Sequence, residues 1–226
     1  AGTAAQGTSA IKTDNTTYTA GTDMTVTVTL KDAQGNPVSG QASVLTADTV
    51  TVANAALKTG GSWTETAEGG GVYTTTYTAE TAGTNLKAVL TLGGWTGGAS
   101  SGEYAITSGE PTNFDLKWIN QNDLVVSDYV DVNRVNGIVT DDYHNPVAGA
   151  EINVTLTDNV QAGFGEGQIG NFMTDDGGGI EILIRSNKSG KVNIKAKLNS
   201  SSLGSISQSL DVFFSPKDMN VEIMVN

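Results

Sequence analysis

The chain holds a single histidine, His144, and no cysteine. No thiol mechanism and no Cys-ligated zinc is therefore open to it. His144 lies in TDDYHNPVAG (residues 140–149). A second stretch, KDAQGNPVSG (residues 31–40), carries Gly35 at the same place. A catalytic base does not normally occupy a position that glycine can fill, so His144 reads as an exposed turn residue. Serine is plentiful, but none sits in a G-x-S-x-G setting. No catalytic residue is assigned, and an enzyme is not expected.

Carboxylates and aromatics offer the remaining chemistry. Asp141–Asp142 and Asp175–Asp176 are acidic loop pairs, and Asp128 with Asp131 forms a looser cluster. Calcium takes six to eight oxygen ligands, so such clusters could supply part of a site. None has the D-x-D-x-D-G spacing of an EF-hand, and turn capping explains the pairs more simply. No metal or cofactor is expected. Among Trp63, Trp95 and Trp118, Trp118 alternates with Leu116 and Phe114, which places it in a core or at a domain junction. Trp95 lies in GGWTGG, whose glycines suggest a loop, and is the candidate contact residue. Tyr73 and Tyr77 share one face of a strand, as core packing requires.

The elements that position these residues are strands. In MTVTVTL (24–30), Met24, Val26, Val28 and Leu30 face one way and three threonines the other. EINVTL (151–156), IEILI (180–184) and VNIKAKL (192–198) alternate in the same way. No stretch at helical spacing runs beyond two turns. Short strands broken by Gly, Asn, Asp and Pro predict an all-β fold.

The turn occurs twice. Asp32, Asn36, Pro37, Val38 and Gly40 match Asp141, Asn145, Pro146, Val147 and Gly149, each pair 109 apart (141 − 32 = 109). Pro fixes its own backbone angle and pushes the preceding Asn out of the helical region. The Asp can accept from turn amides, and the Gly allows a backbone that other residues resist. The next strand is expected at Ala42–Leu45 in one copy and Glu151–Leu156 in the other. Downstream, GGGVYTTTYTAETAG (69–83) matches GGGIEILIRSNKSG (177–190), pairing Gly69 with Gly177 and Gly83 with Gly190. FDLKWIN (114–120) and NVEIMVN (220–226) share an alternating rhythm and read as first strands of successive domains. A repeat of this length predicts two tandem β-sandwich domains. The expected bounds are 1–110 and 111–219, with 220–226 as the start of a third domain or a linker and the boundary near Ser108–Thr112.

The 226 residues include 24 acidic and 12 basic side chains, a net charge of −12. Such a surface repels nucleic acid and anionic membranes. No apolar run approaches the ~20 residues of a membrane helix, so no direct membrane insertion is expected. No signal peptide is visible at Ala1. A solution monomer is expected.

The D-x-x-x-N-P-V-x-G turn with its Gly-opened strands resembles the bacterial Ig-like repeats of the intimin/invasin family, the inverse autotransporter adhesins. SWTETAEGGGVYTTTYTAETAGTNLKAVL (62–90) and SGEYAIT (101–107) resemble the Trp- and Tyr-containing variant of that repeat. NGIVTDDYHNPVAGAEINVTL (136–156) and TDDGGG (174–179) resemble the commoner one. The resemblance implies that the two sandwiches are tandem immunoglobulin-like domains of Greek-key type, and it implies the surface of a Gram-negative bacterium, anchorage by an outer-membrane barrel outside this stretch, and a stiff rod. In some members it implies contact with host receptors. Receptor-binding tips in the family end in a disulfide-bearing lectin-like domain, and this chain has no Cys, so no receptor-contact residue is carried over. The expected function is attachment to a host-cell surface or extracellular-matrix protein. A non-binding spacer, or a carbohydrate-binding accessory module acting through Trp95, are the alternatives.

Overall fold

Strict alternation in MTVTVTL resolves into a strand whose Met24, Val26 and Val28, with Leu30 just beyond it, are fully buried. The structure, a computed structural model, describes residues 2–66, 70–159, 161–165, 167–200 and 204–217. Gly69 and the 220–226 segment lie outside them. The chain divides into two compact units, Ala1–Gly109 and Glu110–Asn226. The fold is all-β, and each unit is an immunoglobulin-like sandwich around its own apolar cluster.

The first unit runs β1 (Ala10–Thr13), β2 (Thr17–Thr19), β3 (Asp23–Thr29), β4 (Val50–Val52), β5 (Ala55–Leu57), β6 (Thr64–Glu65), β7 (Val72–Ala79), β8 (Gly83–Leu86), β9 (Ala88–Leu90), β10 (Ala99–Ser100) and β11 (Tyr104–Thr107). One sheet has the order β1-β3-β7-β5, with β6 also on β7. The opposite layer is assembled from β10-β9-β4 and β2-β11-β8. Tyr73 and Tyr77 point inward from β7 as expected. Each large apolar side chain withdrawn from water contributes about 1.5–3 kcal/mol, which makes the alternation decisive for register.

One expected strand is absent. Ala42–Val44 forms a single 3-10 turn, not an extended segment. The hydroxyl of Thr49 donates to the Val44 carbonyl at 2.7 Å and accepts from the Thr46 amide at 2.8 Å. These local bonds offer the backbone an alternative to a ladder, and pairing resumes only at β4.

The second unit runs β12 (Asn113–Trp118), β13 (Asn133–Thr140), β14 (Glu151–Thr157), β15 (Ala162–Phe164), β16 (Asn171–Met173), β17 (Gly179–Ser186), β18 (Gly190–Ser200) and β19 (Gly204–Phe214). Its layers are β12-β13-β17-β15 and β16-β14-β18-β19. Ile152, Ile182, Ile184, Val192, Ile194 and Leu198 are fully buried between them. In both units the chain leaving the first strand comes to lie parallel beside the last. β2 pairs with β11, and Val126 bridges Ser215.

Backbone bonds fix the repeat register. Val38 donates to the Leu30 carbonyl as Val147 does to that of Val139. Leu30 donates to the Gly71 carbonyl as Val139 does to that of Gly178. Gly71 therefore corresponds to Gly178, 107 apart (178 − 71 = 107), and the expected Gly69–Gly177 pairing is out of register by one. These two glycines have φ of +62° and +71°. A Cβ would stand 2.6 Å from the Leu30 carbonyl oxygen or 2.5 Å from that of Val139. Only glycine fits.

Candidate functional site

The repeated turn is held by a carboxylate cage. Asp32 Oδ1 accepts from the amides of Gln34 and Asn36 at 3.0 and 2.9 Å, and the Asn36 side-chain amide also binds the carboxylate. Asp141 Oδ1 accepts from the amides of Tyr143 and Asn145, both at 2.9 Å, and its Oδ2 from Asn145 Nδ2 at 2.9 Å. The two Asp residues are 3% and 2% exposed, covered by their own turns. In the first unit the Gly2 amide adds a bond to Asp32 Oδ2 at 2.8 Å. That donor, followed by the side chain and amide of Asn36, lowers the Asp32 pKa from 3.8 to about 2. His144 is exposed with φ +62°, and Gly35 with φ +84° holds the matching position. The position selects for a left-handed backbone, which Gly supplies freely and His tolerates.

A second device was not visible in the sequence. The Tyr73 hydroxyl donates to the Val38 carbonyl at 2.8 Å and accepts from the Gln41 amide at 3.1 Å. In the second unit the Thr174 hydroxyl does the same, donating to Val147 at 2.6 Å and accepting from Ala150 at 2.8 Å. The backbone partners are equivalent (147 − 38 = 150 − 41 = 109), but the hydroxyls come from different places in the fold.

Of the other carboxylates weighed for calcium, Asp175, Asp128 and Asp131 serve their own loops. Asp175 Oδ1 accepts from the amides of Gly177 and Gly179. Asp128 Oδ1 accepts from the Asp131 amide, which does most to lower its pKa, and from that of Val130, and Asp131 Oδ2 accepts from Val126. Among the described residues no group of three or more His, Cys, Asp or Glu side chains could hold a metal.

Trp63 is buried at 9% exposure. Trp118 is half-buried, tilted against Phe213, and donates from Nε1 to Asn133 Oδ1 at 2.9 Å. Trp95 is in a loop, but its half-buried ring packs on the first core and its Nε1 donates to the Ala4 carbonyl at 3.1 Å. Its visible role is to tie the start of the chain to the sandwich, and its polar handle is taken. Burial raises the Tyr104 pKa to about 12 while its hydroxyl bonds the Ala53 carbonyl at 2.6 Å.

The outer face of the second unit offers a polar surface instead. Cross-strand rows place Asn153, Lys197 and Ser207 side by side, then Thr155, Lys195 and Ser209. They line an open depression of about 430 Å³. Both lysines are exposed, and neither forms an ion pair among the described residues. Two unpaired cations beside amides and hydroxyls can take an anionic, hydrogen-bonding ligand. The signal was present in VNIKAKL, whose lysines occupy the face opposite its Val, Ile and Leu.

Residues 115–214 match the bacterial Ig-like domain (group 1). The chain is 28% identical over 186 residues, 77% of its length, to the inverse autotransporter adhesin YeeJ of Escherichia coli K12. It spans 7% of that relative's length. Among solved structures it is similar to the Escherichia coli adhesin FdeC (19% identity, TM-score 0.45, covering 95% of this chain and 66% of that one). It is also similar to the Yersinia pseudotuberculosis adhesin InvE (16% identity, TM-score 0.41, covering 95% and 60%). The expected resemblance to intimin/invasin-type repeats is borne out by the domain match and the sequence relative.

Proposed function

We propose that the chain is an extracellular segment of a Gram-negative surface adhesin, and that it contributes to attachment to a host-cell surface or matrix protein. The observation that carries this reading is sequence similarity to an inverse autotransporter adhesin along 77% of the chain. The fold is consistent with it. Two units repeat one caged turn, each with its own core, as a tandem array of domains requires. On this reading the domains span residues 1–110 and 111–219. The parent protein is anchored in the outer membrane through a region outside this stretch. Attachment works through surface chemistry, not turnover, and no catalytic group is invoked.

The polar face bearing Lys195 and Lys197 is the first place to look for contact, ahead of Trp95. Beads coated with the chain should be retained on epithelial monolayers above beads carrying an unrelated sandwich domain. Replacing both lysines by glutamate should reduce that retention. Retention equal to the control would reject adhesion and leave the spacer reading. Retention abolished by Trp95→Ala but not by the lysine changes would favour carbohydrate binding through the tryptophan loop.

A further inference from the structure

Buried tyrosine hydroxyls and indole N–H groups are normally hydrogen-bonded. Most in this chain obey. The hydroxyls of Tyr18, Tyr73 and Tyr104 donate to Asp14 Oδ1 and to the carbonyls of Val38 and Ala53. The indoles of Trp95 and Trp118 donate to the Ala4 carbonyl and to Asn133 Oδ1. Trp63 and Tyr77 are the exceptions. They are 9% and 7% exposed, yet neither Trp63 Nε1 nor the Tyr77 hydroxyl has a partner among the described residues. Neither atom is sealed in, as the Thr75 hydroxyl is. Each therefore reaches open space from an otherwise covered ring.

Both side chains line the same depression of the first unit, about 310 Å³ in volume. Its walls come from both layers of the sandwich, Leu57 and Tyr77 from one sheet and Val50 and Val52 from the other. On β7, Tyr77 stands between Met24 of β3, which is fully buried, and Leu57 of β5, which is 45% exposed. That row runs from the sealed core to the mouth of the depression. Among the described residues, none with a charged side chain lines it.

Sites for small molecules are mostly apolar, with a few polar groups that fix orientation. An indole N–H can only donate, and a phenol can donate or accept. A carboxylate would meet no cation here and would be repelled by a chain of net charge −12. A sugar ring stacks on an exposed aromatic face, and the rings of Trp63 and Tyr77 are covered. We propose that this cleft binds a small uncharged molecule made of one apolar ring and an amide or keto group. The carbonyl oxygen accepts from Trp63 Nε1, the Tyr77 hydroxyl serves the remaining polar group, and the ring lies against Val52 and Leu57. The site is independent of the attachment reading and of the lysine face.

Acetanilide, an uncharged ring with an amide, is the probe. In a proton–nitrogen correlation spectrum of the whole isotope-labelled chain, the three indole N–H signals are followed together. Trp63→Phe identifies its own; should that variant not fold, Trp95→Phe and Trp118→Phe assign the other two. The Trp63 signal should move along a saturable curve with a Kd on the order of 1 mM, as a ligand this small allows. The signals of Trp95 and Trp118, whose N–H groups are already bonded, should stay in place. Benzoate, a similar ring with a negative charge, should move none of them. Tyr77→Phe removes a hydroxyl that nothing in the chain uses, so its melting temperature should match wild type while acetanilide binds about threefold to tenfold more weakly. A Trp63 signal that does not saturate, equal movement of all three signals, or unchanged affinity in Tyr77→Phe would overturn the proposal. Tighter binding of methyl N-acetylglucosaminide than of acetanilide would overturn it in favour of a sugar site.

Discussion

Replacing Thr174 by Val keeps the shape of a buried side chain and removes one hydroxyl. That hydroxyl is 2.6 Å from the Val147 carbonyl and 2.8 Å from the Ala150 nitrogen, and Thr174 is 6% exposed. Each buried backbone group left without a partner costs about 1–3 kcal/mol. The two share one bridge and can relax together, so the loss should be about 2–4 kcal/mol. That is a large part of the ~5–15 kcal/mol that holds a domain. Tyr73→Phe removes the equivalent bridge in the first unit. Gln41 is only half-buried there, so its amide can reach water and the loss should be smaller, about 1–2 kcal/mol. Hydrogen exchange followed by mass spectrometry reads both units in one sample. Thr174→Val should lower protection only in peptides from the second unit, and Tyr73→Phe only in those from the first. A change below about 0.5 kcal/mol for Thr174→Val, inside the range of a neutral surface substitution, would refute the bridge as a structural device.

Gly178→Ala and Gly71→Ala force a Cβ to within 2.5 and 2.6 Å of a strand carbonyl oxygen. Each should cost more than about 2 kcal/mol in its own unit, measured by urea unfolding. The Asp32 carboxylate has a folded pKa lowered from 3.8 to about 2, chiefly by the Gly2 amide. Its contribution is fully present above the unfolded value and is lost as pH falls through 4 toward 2. An acid titration of stability should show Asp32→Asn flattening that window and leaving the neutral range parallel to wild type. The Thr75 hydroxyl faces the first core with no partner, at 6% exposure. Thr75→Val should raise the melting temperature, reflecting a gain of about 1 kcal/mol.

Much of this architecture is written in short-range pattern. Alternation in MTVTVTL and VNIKAKL gave the right buried faces because a strand has a period of two and a sandwich has one dry side. The caged turn was legible because Asp, Asn and Pro act on neighbours within a few residues. Gly71 was not, since three adjacent glycines look alike until a hydrogen bond to Leu30 selects one. The 3-10 turn at Ala42–Val44 depends on Thr49, five residues beyond the carbonyl it binds. Trp95 was correctly placed in a loop, yet its bond to Ala4 crosses 91 residues of chain, and no local pattern reports such a contact. The hydroxyl bridges hide for a related reason: Tyr73 and Thr174 satisfy the same pair of backbone groups from different points in the fold. The polar face around Lys195 and Lys197 is readable as well, since it is the outward half of the same alternation that marks the core.

The most direct test of the adhesive reading is a binding isotherm of the labelled chain on cultured epithelial cells, with an unrelated sandwich domain as control. A saturable curve above the control, displaced by unlabelled chain, is the expected result. A linear signal equal to the control would contradict it and leave this stretch a spacer.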